Sequence, residues 1–99
     1  MEKHTPHYQL AAIQRQMKTV PLLNLTVSAR NGMRAAGMSR ADALAAVQRL
    51  DRTDFYKSMT THGDHRVWQD VYHGHWNSIA LYIKFQQAGE YFVVSLKEL

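Results

Sequence analysis

Two hydrophobic periods divide the chain. Up to residue 50, apolar positions recur every three or four residues: Leu10, Ile13 and Met17, then Val27, Met33 and Ala36, then the Ala-rich stretch from Ala41 to Val47. This is helical spacing. Thr5 can cap a helix and Pro6 suits a first helical position, which predicts a helix over about 6–18. The Val20-Pro21-Leu22-Leu23 segment then reads as extended chain. Thr26 can cap a second helix over about 26–37, with Gly37 suited to a left-handed C-terminal cap. Ser39 and Asp42 have capping-box spacing for a third over about 39–50, where alanine propensity is high.

From residue 54 the period shortens to two. Segments at about 54–61, 66–73, 78–87 and 90–97 read as strands separated by Gly63, Gly74 and Gly89. Connections this short allow hairpins and leave no room for parallel crossovers, so an antiparallel meander is expected. Ile79, Leu81, Ile83 and Phe85 alternate onto one face, as do Phe92, Val94 and Leu96, and these should meet the helices. The expected class is α+β, with N-terminal helices packed on a C-terminal antiparallel sheet in a single domain over 1–99.

Composition narrows the function classes. The hydrophobic share is 45%, and no apolar run approaches the ~18 residues that span a bilayer. No apolar signal core follows Met1-Glu2-Lys3-His4, and the absence of cysteine fits a reducing compartment, so a cytoplasmic location is expected. Formal charge is +4, unevenly spread: residues 1–50 carry seven Lys and Arg against two acids, residues 51–99 five against six. A basic half suits phosphate backbones or an acidic partner, and equally a solvated helical surface.

Counting outward from each expected turn places the polar strand residues. Centring the first hairpin on Gly63 sets Lys57 opposite Gln69. Centring the next between His75 and Trp76 sets Gln69 opposite Tyr82, and the last, between Ala88 and Gly89, sets Tyr82 opposite Ser95. All four would share one face, where opposed Cβ atoms lie about 4.5–5.5 Å apart. A one-residue slip at Gly63 would instead put Lys57 opposite Asp70, leaving a plain surface ion pair with Gln69 and Tyr82 as ordinary strand residues.

The string Phe55-Tyr56-Lys57-Ser58-Met59-Thr60-Thr61, with Asp64-His65 and Trp68-Gln69-Asp70-Val71-Tyr72, resembles the core of the MqsR family of bacterial toxins. The likeness extends to Met1-Glu2-Lys3, Thr5-Pro6-His7, Tyr82, Lys84, Val94-Ser95 and Lys97-Glu98. It breaks down at Gly74-His75-Trp76-Asn77. The resemblance implies a RelE-like toxin ribonuclease architecture and cleavage of messenger RNA at GCU-type sequences. It also implies no cofactor, and a protein antitoxin that binds zinc and DNA. It supports Lys57, Gln69 and Tyr82 as the catalytic set, with Met59 packing on a base.

Those residue types suit metal-free RNA cleavage, in which the 2′-OH attacks the phosphodiester. Lys57 can neutralise the pentavalent phosphate, Tyr82 can donate or relay a proton, and Gln69 can hold a phosphate oxygen or the 2′-OH. No residue stands out as a general base. Tyr56, Tyr72, Tyr91 and Trp68 offer planes for unstacked bases, Tyr56 foremost because it adjoins Lys57; strand aromatics are also ordinary packing. Lys84 and Lys97 are candidate phosphate contacts, and His73 or His75 could shuttle a proton. Two other classes stay open: a noncatalytic nucleic-acid-binding module, and a metal-binding protein using His62, His65, His73 and His75.

Overall fold

The structure, a computed structural model, describes residues 1–99. In chain order its elements are β1 (Glu2–Lys3), α1 (Leu10–Gln16), a 3₁₀ turn at Val20–Leu22, α2 (Val27–Ala36), α3 (Arg40–Arg49), a 3₁₀ turn at Arg52–Asp54, β2 (Phe55–Thr60), β3 (Trp68–Trp76), β4 (Ile79–Ala88) and β5 (Tyr91–Glu98). The five strands form one antiparallel sheet in the order β1-β2-β3-β4-β5, and the helices cover one of its faces. This is the expected α+β class with one more strand than the pattern showed. A two-residue strand carries no periodicity to read.

The helix caps at Thr26 and Ser39 form as expected: the Thr26 hydroxyl accepts from the Ala29 amide, and Ser39 and Asp42 complete a reciprocal capping box. Gly37 ends α2 in the left-handed conformation. The first helix differs. It begins at Leu10, and Thr5 and Pro6 lie outside it. The reason is Asp70, a fully buried carboxylate that receives the His7 amide at 3.0 Å, the Tyr8 amide at 2.8 Å and the Ser58 hydroxyl at 2.6 Å. A buried charge needs donors, and the amides of residues 7 and 8 are spent on it instead of on a helix. Val20-Pro21-Leu22 is likewise a 3₁₀ turn rather than extended chain, with Pro21 in its first turn.

The core follows the period-two reading. Leu81, Ile83 and Phe85 from β4, Val94 and Leu96 from β5 and Tyr72 from β3 pack against Ile13 and Met17, Ala29 and Met33, and Ala43, Ala46 and Val47 from the helical side. Ile79 and Phe92 flank this cluster, partly buried. Val27, expected on the inner face of α2, is 73% exposed, and Ala29 takes the buried place. Small residues suit this helix because it lies almost on the sheet backbone: a Cβ on Gly32 would stand 2.2 Å from the Leu96 carbonyl oxygen. Gly74 is no separator but sits inside β3, where a Cβ would meet Ile83 Cδ1 at 2.9 Å and Leu50 Cδ2 at 3.0 Å.

Turn chemistry sets a different register from the mirror count. Asn77 and Ser78, at φ 46° and 67°, form the two-residue turn between β3 and β4. Gly89 and Glu90 separate the Ala88–Tyr91 pair, and a seven-residue loop over 61–67 joins β2 to β3. Lys57 therefore pairs with Val71 instead of Gln69, Gln69 with Gln86 instead of Tyr82, and Tyr82 with Lys97 instead of Ser95. The displacements are two, four and two residues. Even displacements leave every side chain on its face, so the shared face survives although the pairings do not.

Candidate active site

The uncovered face of the sheet is built around a bulge in β2. Phe55 pairs with Tyr72 and Lys57 with Val71, so Tyr56 is an extra residue on its strand. Phe55 packs into the core edge-on to Tyr72, while Tyr56 lies flat on His73 with ring centroids 4.3 Å apart and planes 21° from parallel. The Lys57 ammonium stands 5.7 Å from the Tyr56 ring centroid. Across the next two strands, His73 pairs with Tyr82 and Tyr82 with Lys97, whose ammonium lies 5.4 Å from the phenol ring centroid. Lys84 pairs with Val71 on one side and Ser95 on the other. Val71 is completely buried although no helix covers this face, so its shield is the surrounding side chains. It provides an apolar floor that reduces water around the groups above it.

Tyr56, Lys57, His73, Tyr82, Lys84 and Lys97 are thus neighbours. Gln69 and Met59 form a separate pair: they are cross-strand partners, and the Gln69 amide donates to Gln86 Oε1 at 2.8 Å. Gln69 lies four residues along the ladder from the His73–Tyr82 pair, roughly 13 Å at strand rise, and two from the Lys57 level. Lys57 stands between the two groups.

Beside Tyr82 a cleft of about 270 Å³ is bordered by Ser28, Tyr82, Lys84, Ser95 and Lys97. Its hydroxyls are linked to the head of α2: Thr26 Oγ1 lies 2.7 Å from Ser95 Oγ and 3.0 Å from Ser28 Oγ. A larger cavity, about 600 Å³, opens between residues 5–11 and 50–52 with Tyr72 in its lining. It gathers no cationic cluster.

Two aromatic candidates are withdrawn by their surroundings. Tyr72 is fully buried, its phenol pushed up to about 12 by burial, so no base can reach its face. The Trp68 ring is already covered, by His7 stacked at 5.1 Å and by the Lys3 ammonium at 4.3 Å. Tyr56 and Tyr91 stay exposed, and only Tyr56 adjoins the cations. The histidine pairs do not assemble: nowhere do three His, Cys, Asp or Glu side chains gather as a metal-binding set.

One further residue belongs to this face. Glu2, on the overlooked β1, pairs with Met59, and its Oε1 receives the Lys57 ammonium at 2.7 Å. This bond, reinforced by charge, holds the Glu2 carboxyl below its ordinary value and raises Lys57 above its own. The only sequence signal for Glu2 was its place in Met1-Glu2-Lys3. No helix of the protein is long and apolar enough to cross a membrane.

The chain is similar to known proteins along nearly its whole length. Residues 5–98 match the family described as "Motility quorum-sensing regulator, toxin of MqsA". A relative from Escherichia coli (strain K12), named mRNA interferase toxin MqsR, is 34% identical over 98 residues, covering 99% of each chain. With the match running through both the helices and the sheet, this chain belongs to the MqsR toxin family.

Proposed function

We propose that the protein is an endoribonuclease toxin that cleaves single-stranded messenger RNA at GCU-type sequences, uses its own lysines as the cations, and is neutralised by a protein antitoxin. The observation that carries this reading is the gathering of Lys57, Tyr82, Lys84 and Lys97 over an apolar floor beside the exposed Tyr56–His73 stack. Three cations match the charge of consecutive phosphates, and an exposed aromatic plane suits an unstacked base. The name of the Escherichia coli relative, an mRNA interferase, points the same way.

In this reading Lys57 stabilises the phosphorane charge, a task for a fixed cation in a partly dry site. Tyr82 gives the departing 5′ oxygen its proton. Lys84 and Lys97 hold neighbouring phosphates, and Tyr56 with His73 stacks a base. Gln69 and Met59, one step along the face, contact the adjoining nucleotide instead of the same phosphate. Sequence preference would then be read at both ends of a short track.

The test is cleavage of a defined RNA carrying one GCU, with end-group analysis. A 2′,3′-cyclic phosphate and a 5′-hydroxyl are expected, with strong losses in Lys57→Ala and Tyr82→Phe and a smaller loss in Gln69→Ala. RNA left intact by antitoxin-free protein, yet bound in a salt-sensitive manner, would establish the noncatalytic binding module instead.

A further inference from the structure

Attack by a 2′-OH requires a group that removes its proton. The sheet's open face holds one carboxylate for that task. Among strand residues, Asp70 and Glu98 belong to the opposite face by their pairing with Ser58 and Leu81, and the Asp70 oxygens are occupied by the His7 and Tyr8 amides and the Ser58 hydroxyl. Glu2 alone pairs onto the face of Lys57 and Met59.

We infer that Glu2 is the general base of this site, accepting the proton of the ribose 2′-OH while Lys57 turns from the Glu2 carboxylate to the scissile phosphate. The inference rests on the ribonuclease reading and adds to it the one role left unfilled. Its ground is the 2.7 Å contact of Glu2 Oε1 with Lys57 Nζ, together with the order of groups across the sheet. Glu2 on β1, Lys57 on β2 and Tyr82 on β4 follow one another across three strand spacings, and Glu2 lies at the Met59 level, four residues along the ladder from Tyr82, so their backbones stand roughly 19 Å apart; unlike Met59, the Glu2 carboxylate reaches back to Lys57, which shortens the span its group must cover. In-line displacement needs a proton acceptor on one side of phosphorus, a proton donor on the other and positive charge between.

The pair also supplies the timing. In the free protein the Lys57 bond lowers the proton affinity of the Glu2 carboxylate. A phosphate entering the face competes for the Lys57 ammonium. As that bond weakens, the carboxylate loses the partner that suppressed its proton affinity, and becomes a better base as the 2′-OH arrives. The exchange is open to substrate, because the Glu2 side chain is 55% exposed and that of Lys57 24%.

A Glu2 carboxylate oxygen takes the 2′ proton, the 2′ oxygen forms its bond to phosphorus, and the bond from phosphorus to the 5′ oxygen breaks. The 5′ oxygen takes the Tyr82 phenol proton. Glu2 and Tyr82 are returned to their starting states through water, leaving a 2′,3′-cyclic phosphate and a 5′-hydroxyl.

Single-turnover cleavage at saturating RNA tests this in Glu2→Gln and Glu2→Ala. Affinity is measured separately with RNA carrying a 2′-deoxy sugar at the cleavage site. Glu2→Gln should lose on the order of 10²–10⁴ in rate, as removal of a general base does, while affinity changes by less than about threefold. Glu2→Ala should regain rate as sodium acetate is added, the small carboxylate replacing the lost one. Both results are required. Wild-type rate in Glu2→Gln, a loss confined to affinity, or no acetate response overturns the assignment and leaves the ribonuclease reading standing. RNA that the wild-type protein itself leaves intact sinks both.

Discussion

Replacing Asp70 by Asn removes one charge from the best-enclosed polar site in the protein and changes almost nothing in volume. The Asp70 carboxylate accepts three groups, the His7 and Tyr8 amides and the Ser58 hydroxyl, and is itself shut off from solvent. An asparagine keeps one acceptor oxygen and turns an NH₂ towards a donor. At least one charge-assisted bond, about 1.5–3 kcal/mol, is lost and one buried donor is left unpaired at about 1–3 kcal/mol. The expected net loss is about 3–5 kcal/mol, a large part of what a domain this size holds. At this length that lowers the melting temperature by roughly 15–25 °C. Circular dichroism melts and urea titration of the purified variant measure it. A fall under about 1 kcal/mol would refute the idea that this carboxylate anchors residues 7 and 8, and with it the account of why α1 starts late.

Tyr72→Phe should leave the fold intact and raise stability by about 1 kcal/mol, because the buried Tyr72 hydroxyl has no hydrogen-bond partner within the protein; a loss in urea titration would mean that it bonds to water in the adjoining cavity. Gly32→Ala should cost about 2–3 kcal/mol despite alanine's helix propensity, since backbone blocks the added Cβ at 2.2 Å; Gly74→Ala, opposed by flexible side-chain tips at 2.9 and 3.0 Å, should cost about half as much. If denaturation ranks the two in the reverse order, the packing of α2 on β5 is misjudged. Glu2 has a lowered carboxyl value and Lys57 a raised one, so the β1–β2 tie gains from Glu2 ionisation above the ordinary carboxylate range and loses that gain as pH falls through the depressed value. From Lys57 the gain is full below the ordinary lysine range and fades as pH rises through the raised value. NMR titration of Glu2 should therefore show a depressed midpoint that returns towards 4.5 in Lys57→Met; an undisplaced wild-type midpoint would mean that the pair does not form in solution.

How much of this was visible in the residues depends on the range of the force that shaped each part. Alternation of Leu81, Ile83, Phe85, Val94 and Leu96 is a local signal, and it placed the core, the sheet class and the common face of Lys57, Gln69 and Tyr82. The caps at Thr26 and Ser39 act over three residues and were equally plain. Register was not. It depends on the positive φ of Asn77 and Ser78, on a long loop and on the bulge at Tyr56, and each moves pairings without disturbing alternation. The late start of α1 and the existence of β1 depend on contacts spanning about sixty residues, Asp70 with His7 and Glu2 with Met59. No local pattern announces them.

The tie between Glu2 and Lys57 has a consequence for how the molecule comes to life and how it can be silenced. One edge of the face is contributed by a strand that precedes the helices in the chain and is held by one that follows them, so it closes only after the intervening helices and β2 exist. Closing a loop of that length costs about 3.5 kcal/mol in chain entropy, repaid through two strand residues and the Asp70 anchor. Such a strand can peel away while the rest of the core stays intact, by the partial opening that hydrogen exchange detects. Activity and foldedness would then be separable in this protein, with a well-folded chain spending part of its time without its outermost carboxylate.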